Sequence, residues 1–384
     1  MAAPLAIDRR EAYHRIRLTH LLSRHGGAQA MPELSGLASS ELSEHVDVLA
    51  ESIVARQYSR QKELWKPYGE VGRARAVRYA RNHIEFLANA VGLEEPGLFV
   101  DYSAWCKVVF HHRGLPDSAL ATTLECTREI VAEILPAALT GAVLPVVAAA
   151  IDYLPLAPVD IDAFISSDKP YGSLAANYLA RLLEGNRSAA GYLIGNAMGA
   201  GAKVEDMHLH VFQPCQWELG RLWQMNRITV ANEHYCTAAT QLIMSQLYGY
   251  IFGGSRNALK MVSTCVGDEM HEIGARMVSD LFELNGWDTH YLGANVPAES
   301  VASTIEKLNP DVLAISATLV SHVSAVKNLI RQVRESPAGA RAKILVGGHP
   351  FRIAPGLWQK VRADATGVDA LQALQAANGL LDTT

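Results

Sequence analysis

The stretch Met261-Val262-Ser263-Thr264-Cys265-Val266-Gly267-Asp268-Glu269-Met270-His271-Glu272-Ile273-Gly274 decides how the last third of this 384-residue chain folds. Its first six residues are a short β-rich run, and an amphipathic helix reads over residues 273–285. Glu269 and His271 therefore fall in the first strand-to-helix loop, at the lip of whatever crevice the strands create. Imidazole is a common transition-metal ligand. Glu269, two residues earlier, can bond the far ring nitrogen, fix the tautomer and raise ligand basicity. Gly274 lets a bulky group approach the start of the helix. Taken alone, His271 reads as an ordinary polar loop residue.

Downstream, strands and helices alternate: Thr289–Leu292, a helix over 298–308, Val312–Ser316, a helix over 321–335, Lys343–Val346, a helix over 355–362 and a last helix from Asp369. Four clear strands and a candidate fifth predict a flavodoxin-like, doubly wound parallel sheet over 258–384, with its ligand crevice at the carboxyl ends of the strands. Strand three ends in Ile315-Ser316-Ala317-Thr318-Leu319, which brings hydroxyl donors to that edge. Strand four ends in Val346-Gly347-Gly348, which leaves bare backbone there. Each is frequent loop chemistry by itself; the order and spacing behind His271 are more specific.

Upstream, the periodicity is helical. Residues 1–160 predict an all-α domain, with breaks at Gly26-Gly27, Pro67-Tyr68-Gly69, Glu95-Pro96-Gly97 and Gly114-Leu115-Pro116. The Pro-rich passage Leu154-Pro155-Leu156-Ala157-Pro158 marks a boundary, and residues 166–256 predict a four-helix bundle. The run from Ala137 to Leu154 is the most lipid-like, but Pro145 and Asp152 interrupt it and it reads as a buried helix pair. A net charge of −5, with 19% charged residues, suits a soluble cytoplasmic protein with no membrane partner and no broad footprint on nucleic acid. The N-terminus lacks the apolar core of a secretory signal. Five scattered cysteines (Cys106, Cys126, Cys215, Cys236, Cys265) give neither a disulfide framework nor a zinc site.

With its acidic residue, His271, Gly274, then Ser316-x-Thr318 and Gly347-Gly348, the segment 258–382 resembles the cobalamin-binding domain of methionine synthase and related B12 proteins. The resemblance implies that His271 replaces the benzimidazole base as lower cobalt ligand. It also implies that the nucleotide tail runs past Ser316, Thr318, Gly347 and Gly348, with Val296 a further contact. Glu269 departs from the Asp usual in that family.

The bundle carries Gly220-Arg221-Leu222-Trp223 and, after nine intervening residues, Glu233-His234, within Ile228-Thr229-Val230-Ala231-Asn232-Glu233-His234. By periodicity alone Trp223 is core and Glu233-His234 a surface pair. The spacing is similar to the cap of CarH-type B12 photoreceptors. That resemblance implies Trp223 flat over the upper axial group of adenosylcobalamin, Glu233 bonded to it, and His234 a neighbour. Those photoreceptors can carry His where this chain has Gln224, so after illumination cobalt is expected either to keep water or to recruit another histidine, such as His208 or His210.

In the N-terminal domain, Arg73, Arg75, Arg78 and Arg81 cluster on one helix, and Arg can fork onto propionates. The segment from Leu98 to Trp105, ending at Arg113-Gly114-Leu115-Pro116, is similar to globin-like sensor domains, and the domain order resembles the photocobilins. This implies biliverdin beside the cobalamin, with Arg75, Arg78, Tyr79 and His83 as its pocket and Cys106 or Cys126 as attachment points. A haem held by His83 or His111 is the competing expectation. The function implied is a light sensor that lacks catalytic residues, in which Co–C cleavage changes the state of a homo-oligomer. The alternatives are a corrinoid methyl-carrier of a methyltransferase system and a haem- or cobalamin-responsive regulator.

Overall fold

A computed structural model describes residues 32–252 and 255–382. The expected Gly26-Gly27 break and the reading of the N-terminus lie outside the described residues. The chain divides into two compact units, Met1–Val159 and Asp160–Thr384.

The first unit is entirely helical where described: α1 (Pro32–Glu44), α2 (Val46–Arg60), α3 (Gly69–Gly92), α4 (Pro96–His112), α5 (Asp117–Ile134) and α6 (Ala137–Tyr153). A short turn over Lys66–Tyr68 precedes α3, and Gly69 takes the left-handed φ of 56° that this junction needs. Leu49, Ile53, Ile84, Leu87, Leu98, Phe99, Leu120 and Val147 close the core. Where a helix pair is expected, α6 is a single helix running through Pro145. Pro145 removes one backbone bond. Val143, Val146, Val147, Ala149 and Ala150 are nonetheless buried against α1, α4 and α5, and packing carries the helix through. Among the described residues, Ala137–Leu156 is the one segment long and apolar enough to cross a membrane, and one face of it packs into the core of this unit.

The second unit opens with a helical bundle: α7 (Gly172–Leu183), α8 (Arg187–Gly199), α9 (Gln213–Gln224) and α10 (Val230–Gln246). Leading into α9 is a helical run, Val204–Met207, followed by a π-turn over His208–Phe212. Asn186 caps α8 by accepting from the Ala189 N–H. Thr229 caps α10, where its hydroxyl accepts from Asn232 N–H and the Asn232 side chain accepts from Thr229 N–H. That cap fixes where α10 starts and places Glu233 in its first turn.

The sheet has five parallel strands, β1 (Lys260–Cys265), β2 (Asp288–Tyr291), β3 (Val312–Ser316), β4 (Lys343–Gly347) and β5 (Ala365–Gly367), in the order β2-β1-β3-β4-β5. Helices α11 (Ile273–Leu284), α12 (Ala298–Leu308), α13 (Val323–Arg334) and α14 (Ala370–Asp382) flank it. This is the expected flavodoxin-like arrangement. The helix expected over 355–362 is instead two short pieces, His349–Ile353 and Leu357–Lys360. β1 and β3 are buried almost throughout because helices cover both faces, which is why they read as continuous apolar runs. Helix α11 serves two cores. Its Ile273, Met277 and Leu281 join the bundle, while Phe282 packs with Trp287 against the sheet. Burying each of these large side chains is worth about 1.5–3 kcal/mol.

Candidate functional site

Strand register aligns the site. Cys265 of β1 pairs with Ser316 of β3, Ser316 with Gly347 of β4, and Gly347 with Gly367 of β5. Four strand ends therefore lie in a row, and the chain reverses direction across the sheet between β1 and β3, where α/β proteins bind ligands. The loops after β1, β3 and β4 open on that edge and carry Glu269 and His271, Thr318, and Gly348.

Glu269 is the fixed point. It is completely buried, and its carboxylate accepts five hydrogen bonds. Oε1 takes the His271 N–H (3.0 Å) and the His271 Nδ1–H (2.6 Å). Oε2 takes the backbone N–H groups of Thr318 (2.6 Å) and Leu319 (3.2 Å), and Nδ1–H of His322 (3.0 Å). Burial pushes this carboxyl upward, but the bonds from His271 and His322 outweigh it and hold the group well below the usual carboxylate range. An ionised carboxylate only accepts, so Nδ1 of His271 carries the proton and its Nε2 keeps a lone pair. The His271 side chain is 57% exposed, so that lone pair is within reach of a ligand. Its bond to Glu269 raises the His271 pKa against the pull of burial, and the charges of Glu269 and of Glu233 add to the rise.

On the bundle side, Glu233 sits in the first turn of α10. Glu233 accepts from Thr237 (2.8 Å) and from His234 Nδ1 (2.6 Å) on its own helix. Trp223, near the end of α9, is half-buried, whereas Gln224 is buried. The bundle is tied to the sheet beside the site. Glu272 accepts from Gln241 of α10 (2.6 Å) and from Tyr291 of β2 (2.7 Å), and Arg276 donates to Ser245 (2.8 Å). Exposed apolar side chains flank the Glu269 clamp: Met270, next to His271, and Leu319, whose N–H bonds Glu269.

The remaining expected residues fall as follows. Val296 donates its N–H to the Cys265 carbonyl (3.4 Å) beside the end of β1. Ser316 and Thr318 are half-buried. Gly348 has a φ of 111°, and a Cβ there would collide with the Ala317 carbonyl, so glycine is required by the close approach of two strand ends. A Cβ at Gly274 would meet nothing, so the start of α11 faces open space. His322 was not anticipated. It ends a short turn, Val320–His322, six residues beyond Ser316, and no spacing rule singles it out. His208, expected as a reserve cobalt ligand, is instead fully buried. Its Nδ1 faces the Val204 carbonyl and its Nε2 faces Asp280 (3.0 Å), so neither nitrogen is offered to the crevice. His210 is half-buried and stacks on Tyr171.

The N-terminal set does not gather into one pocket. Arg75, Arg78 and Tyr79 are exposed, whereas His83 is buried with its Nδ1 bonded to the Tyr102 hydroxyl (2.6 Å). Burial lowers the His83 pKa to about 4, which makes it a neutral core histidine rather than a surface contact. Arg73 and Arg81 pair with Glu51 and Asp47. His111 is exposed. Cys106 and Cys126 are both buried, and burial pushes the Cys106 thiol up to about 12, which suits inert core thiols better than attachment points.

The donor set fits a macrocycle-bound metal: one imidazole with a fixed tautomer, apolar side chains beside it, and an adjoining trench of backbone and hydroxyl groups. Family profiles described as B12 binding domain match residues 259–375 and 174–248. This chain carries a B12-binding module. The dimethylamine corrinoid protein of Methanosarcina barkeri is 30% identical over 129 residues, 33% of this chain and 59% of that protein. The beta subunit of D-ornithine 4,5-aminomutase from Acetoanaerobium sticklandii is 29% identical over 116 residues, 29% of this chain and 16% of that one. The solved monomethylamine corrinoid protein of Methanosarcina barkeri is similar over 56% of this chain and all of its own, at 20% identity and a TM-score of 0.48. The chain thus spans 59% or less of the curated relatives named here. The cobalamin-binding expectation is borne out.

Proposed function

We propose that this chain is a corrinoid-carrying protein of a methyl-transfer system, in which His271 holds cobalt from below and partner enzymes act at the upper face. The observation that carries the reading is the Glu269 clamp, which saturates Nδ1 of His271 and leaves Nε2 as a metal-ready lone pair. Likeness to dimethylamine corrinoid proteins supports the carrier role. When bound, the corrinoid supplies a cobalt centre able to hold an alkyl group. The chain's own part is to bind, orient and shield. Glu269 keeps the proton on Nδ1, while Ser316, Thr318, Val296, Gly347 and Gly348 line the path for the nucleotide tail, and Gly274 leaves room at the lip. Trp223 and Glu233 overlie the opposite side from the bundle, with His234 held against Glu233.

One observation favours a second reading, a light sensor using adenosylcobalamin. Half-exposed Trp223 lies near the end of α9 and Glu233 in the first turn of α10, so the bundle carries an aromatic and a hydrogen-bonding group at adjoining helix ends, a pair suited to one axial ligand. Biliverdin would then be a second chromophore in the helical unit, and a homo-oligomer the responding state.

One series of spectra tests both. His271→Ala should shift the absorption of bound cobalamin by removing the lower ligand, and an unchanged spectrum overturns the site. Wild-type protein loaded with methylcobalamin should pass the methyl group to a thiol acceptor in the dark when a methyltransferase partner is supplied. If dark transfer fails, and light alters the bands of adenosylcobalamin and the oligomeric state together, the carrier reading gives way to the sensor. A far-red band on adding biliverdin would establish the bilin.

A further inference from the structure

Thr123, Thr127, Thr240 and Thr304 each turn the hydroxyl back on their own helix and donate to the backbone carbonyl four residues earlier. Thr237 of α10 does not. Its Oγ1 lies between two side-chain acceptors, 2.8 Å from Oε1 of Glu233 and 3.2 Å from Oε1 of Gln216 on α9. We propose that Thr237 is a positioning residue for Glu233, setting its carboxylate to favour an upper axial group that donates hydrogen bonds over a bare methyl; this rests on the reading that Glu233 faces the upper axial position.

A buried polar chain holds Thr237 from behind. Thr240 gives its one proton to the Cys236 carbonyl, so toward its other neighbours it only accepts. Tyr178 of α7 is fully buried, and burial raises the pKa of its phenol, which keeps the proton it donates to Thr240 at 2.9 Å. Gln216 Nε2 is the second donor to Thr240, at 3.2 Å. With its NH2 group held there, the Gln216 amide must turn its carbonyl toward Thr237. Thr237 therefore meets an acceptor on each side and has one proton to give, and the shorter bond, to a carboxylate, is the stronger. Glu233 is gripped twice, by Thr237 on Oε1 from within the bundle and by His234 Nδ1 on Oε2 at 2.6 Å from the surface. His234 is itself 75% exposed, so Thr237 is the firmer of the two anchors. A carboxylate offers about four lone-pair directions, which leaves about two, and the Glu233 side chain is 27% exposed. A hydroxyl on the upper group can use those directions and a methyl cannot. Without the Thr237 proton, rotation about the last side-chain bond carries them away from any fixed aim.

The test uses Thr237→Val and Thr237→Ser in the full-length protein. Val keeps the shape and removes the proton, whereas Ser keeps the proton and removes the methyl. Absorption titrations in the dark compare adenosylcobalamin, whose upper group carries ribose hydroxyls, with methylcobalamin, whose upper group has no donor. Val should lower the adenosyl-over-methyl affinity ratio about tenfold, the scale of one hydrogen bond to a charged group, with methylcobalamin affinity kept within about twofold of wild type. Ser should restore the wild-type ratio. A folded Val variant with the wild-type ratio overturns the proposal, and so does a loss shared equally by both cobalamins. A Ser variant that behaves like Val also overturns it, because packing of the methyl would then be what matters. If Val does not fold by circular dichroism, Thr237→Ala is measured in its place against the same outcomes. Glu233→Ala is run alongside. If it leaves the affinity ratio of the wild type unchanged, Glu233 does not meet the upper group and the underlying reading has failed, whatever Thr237 does.

Discussion

Replacing Glu269 by Gln exchanges one acceptor oxygen for an NH2 group at a site where every neighbour donates. The amide has two orientations, and neither satisfies both ends. The backbone N–H groups of Thr318 and Leu319 cannot retune, and two of them face Oε2. The amide oxygen should therefore take that end and turn the NH2 toward His271. The ring can then only accept at Nδ1, so its proton moves to Nε2 and the lone pair a metal needs is lost. The His271 N–H, now facing a donor, is left without an acceptor, at a cost of about 1–3 kcal/mol of folding stability. Cobalamin affinity should fall about 10–100-fold, or roughly 1.4–2.7 kcal/mol. Urea titration of the apo protein reads the first number, and absorption titration with aquocobalamin the second. Ring ¹⁵N shifts give the tautomer. A variant that binds within about twofold of wild type with its imidazole band intact and Nδ1 still protonated would refute the reasoning.

The buried His83 gives the helical unit a pH dependence of definite sign. Its folded pKa of about 4 lies below the ordinary 6.5, so between these values the unfolded chain binds more protons. Stability is complete above about pH 6.5 and falls by up to about 3 kcal/mol on acidification toward pH 4; His83→Leu should flatten thermal melts over that window, and an equally steep loss in the variant would exclude His83 as the source. Gly348→Ala forces a side chain onto a φ of 111° against the Ala317 carbonyl, so about 1–3 kcal/mol of strain should appear in urea melts, together with poorer cobalamin retention on gel filtration. Unaltered stability would mean that the two strand ends are not packed this closely. Asp280→Ala strips the partner from Nε2 of fully buried His208, for a loss of about 1–3 kcal/mol, whereas Asp280→Asn keeps a hydrogen-bonding partner for that nitrogen and should cost less. Equal losses in denaturant would show that the bond is not what matters there.

The sequence by itself determined the layers of this protein. Apolar runs of strand length alternating with amphipathic helices after residue 258 can bury their faces only in a parallel sheet, and the sheet's topology then carries the ends of β1, β3 and β4 to one edge. That is why Glu269, His271, Ser316, Thr318 and Gly348 could be named together from local pattern. Gly348 was read as bare backbone for a ligand, and the reason it must be glycine emerged only once the Ala317 carbonyl was found against it. Other decisions needed the tertiary structure because they depend on which side of a helix meets a core. On α3, His83 turns inward to Tyr102 while Arg75, Arg78 and Tyr79 stay in solvent, a division set by α4 and not by spacing. His208 looked available until Asp280, 72 positions later, proved to hold it. The clamp on Glu269 is the plainest case: its proximity to His271 is local and legible, but its second oxygen is satisfied by residues some fifty positions away. Only the parallel pairing of β1 with β3 brings those donors within 3.2 Å of it.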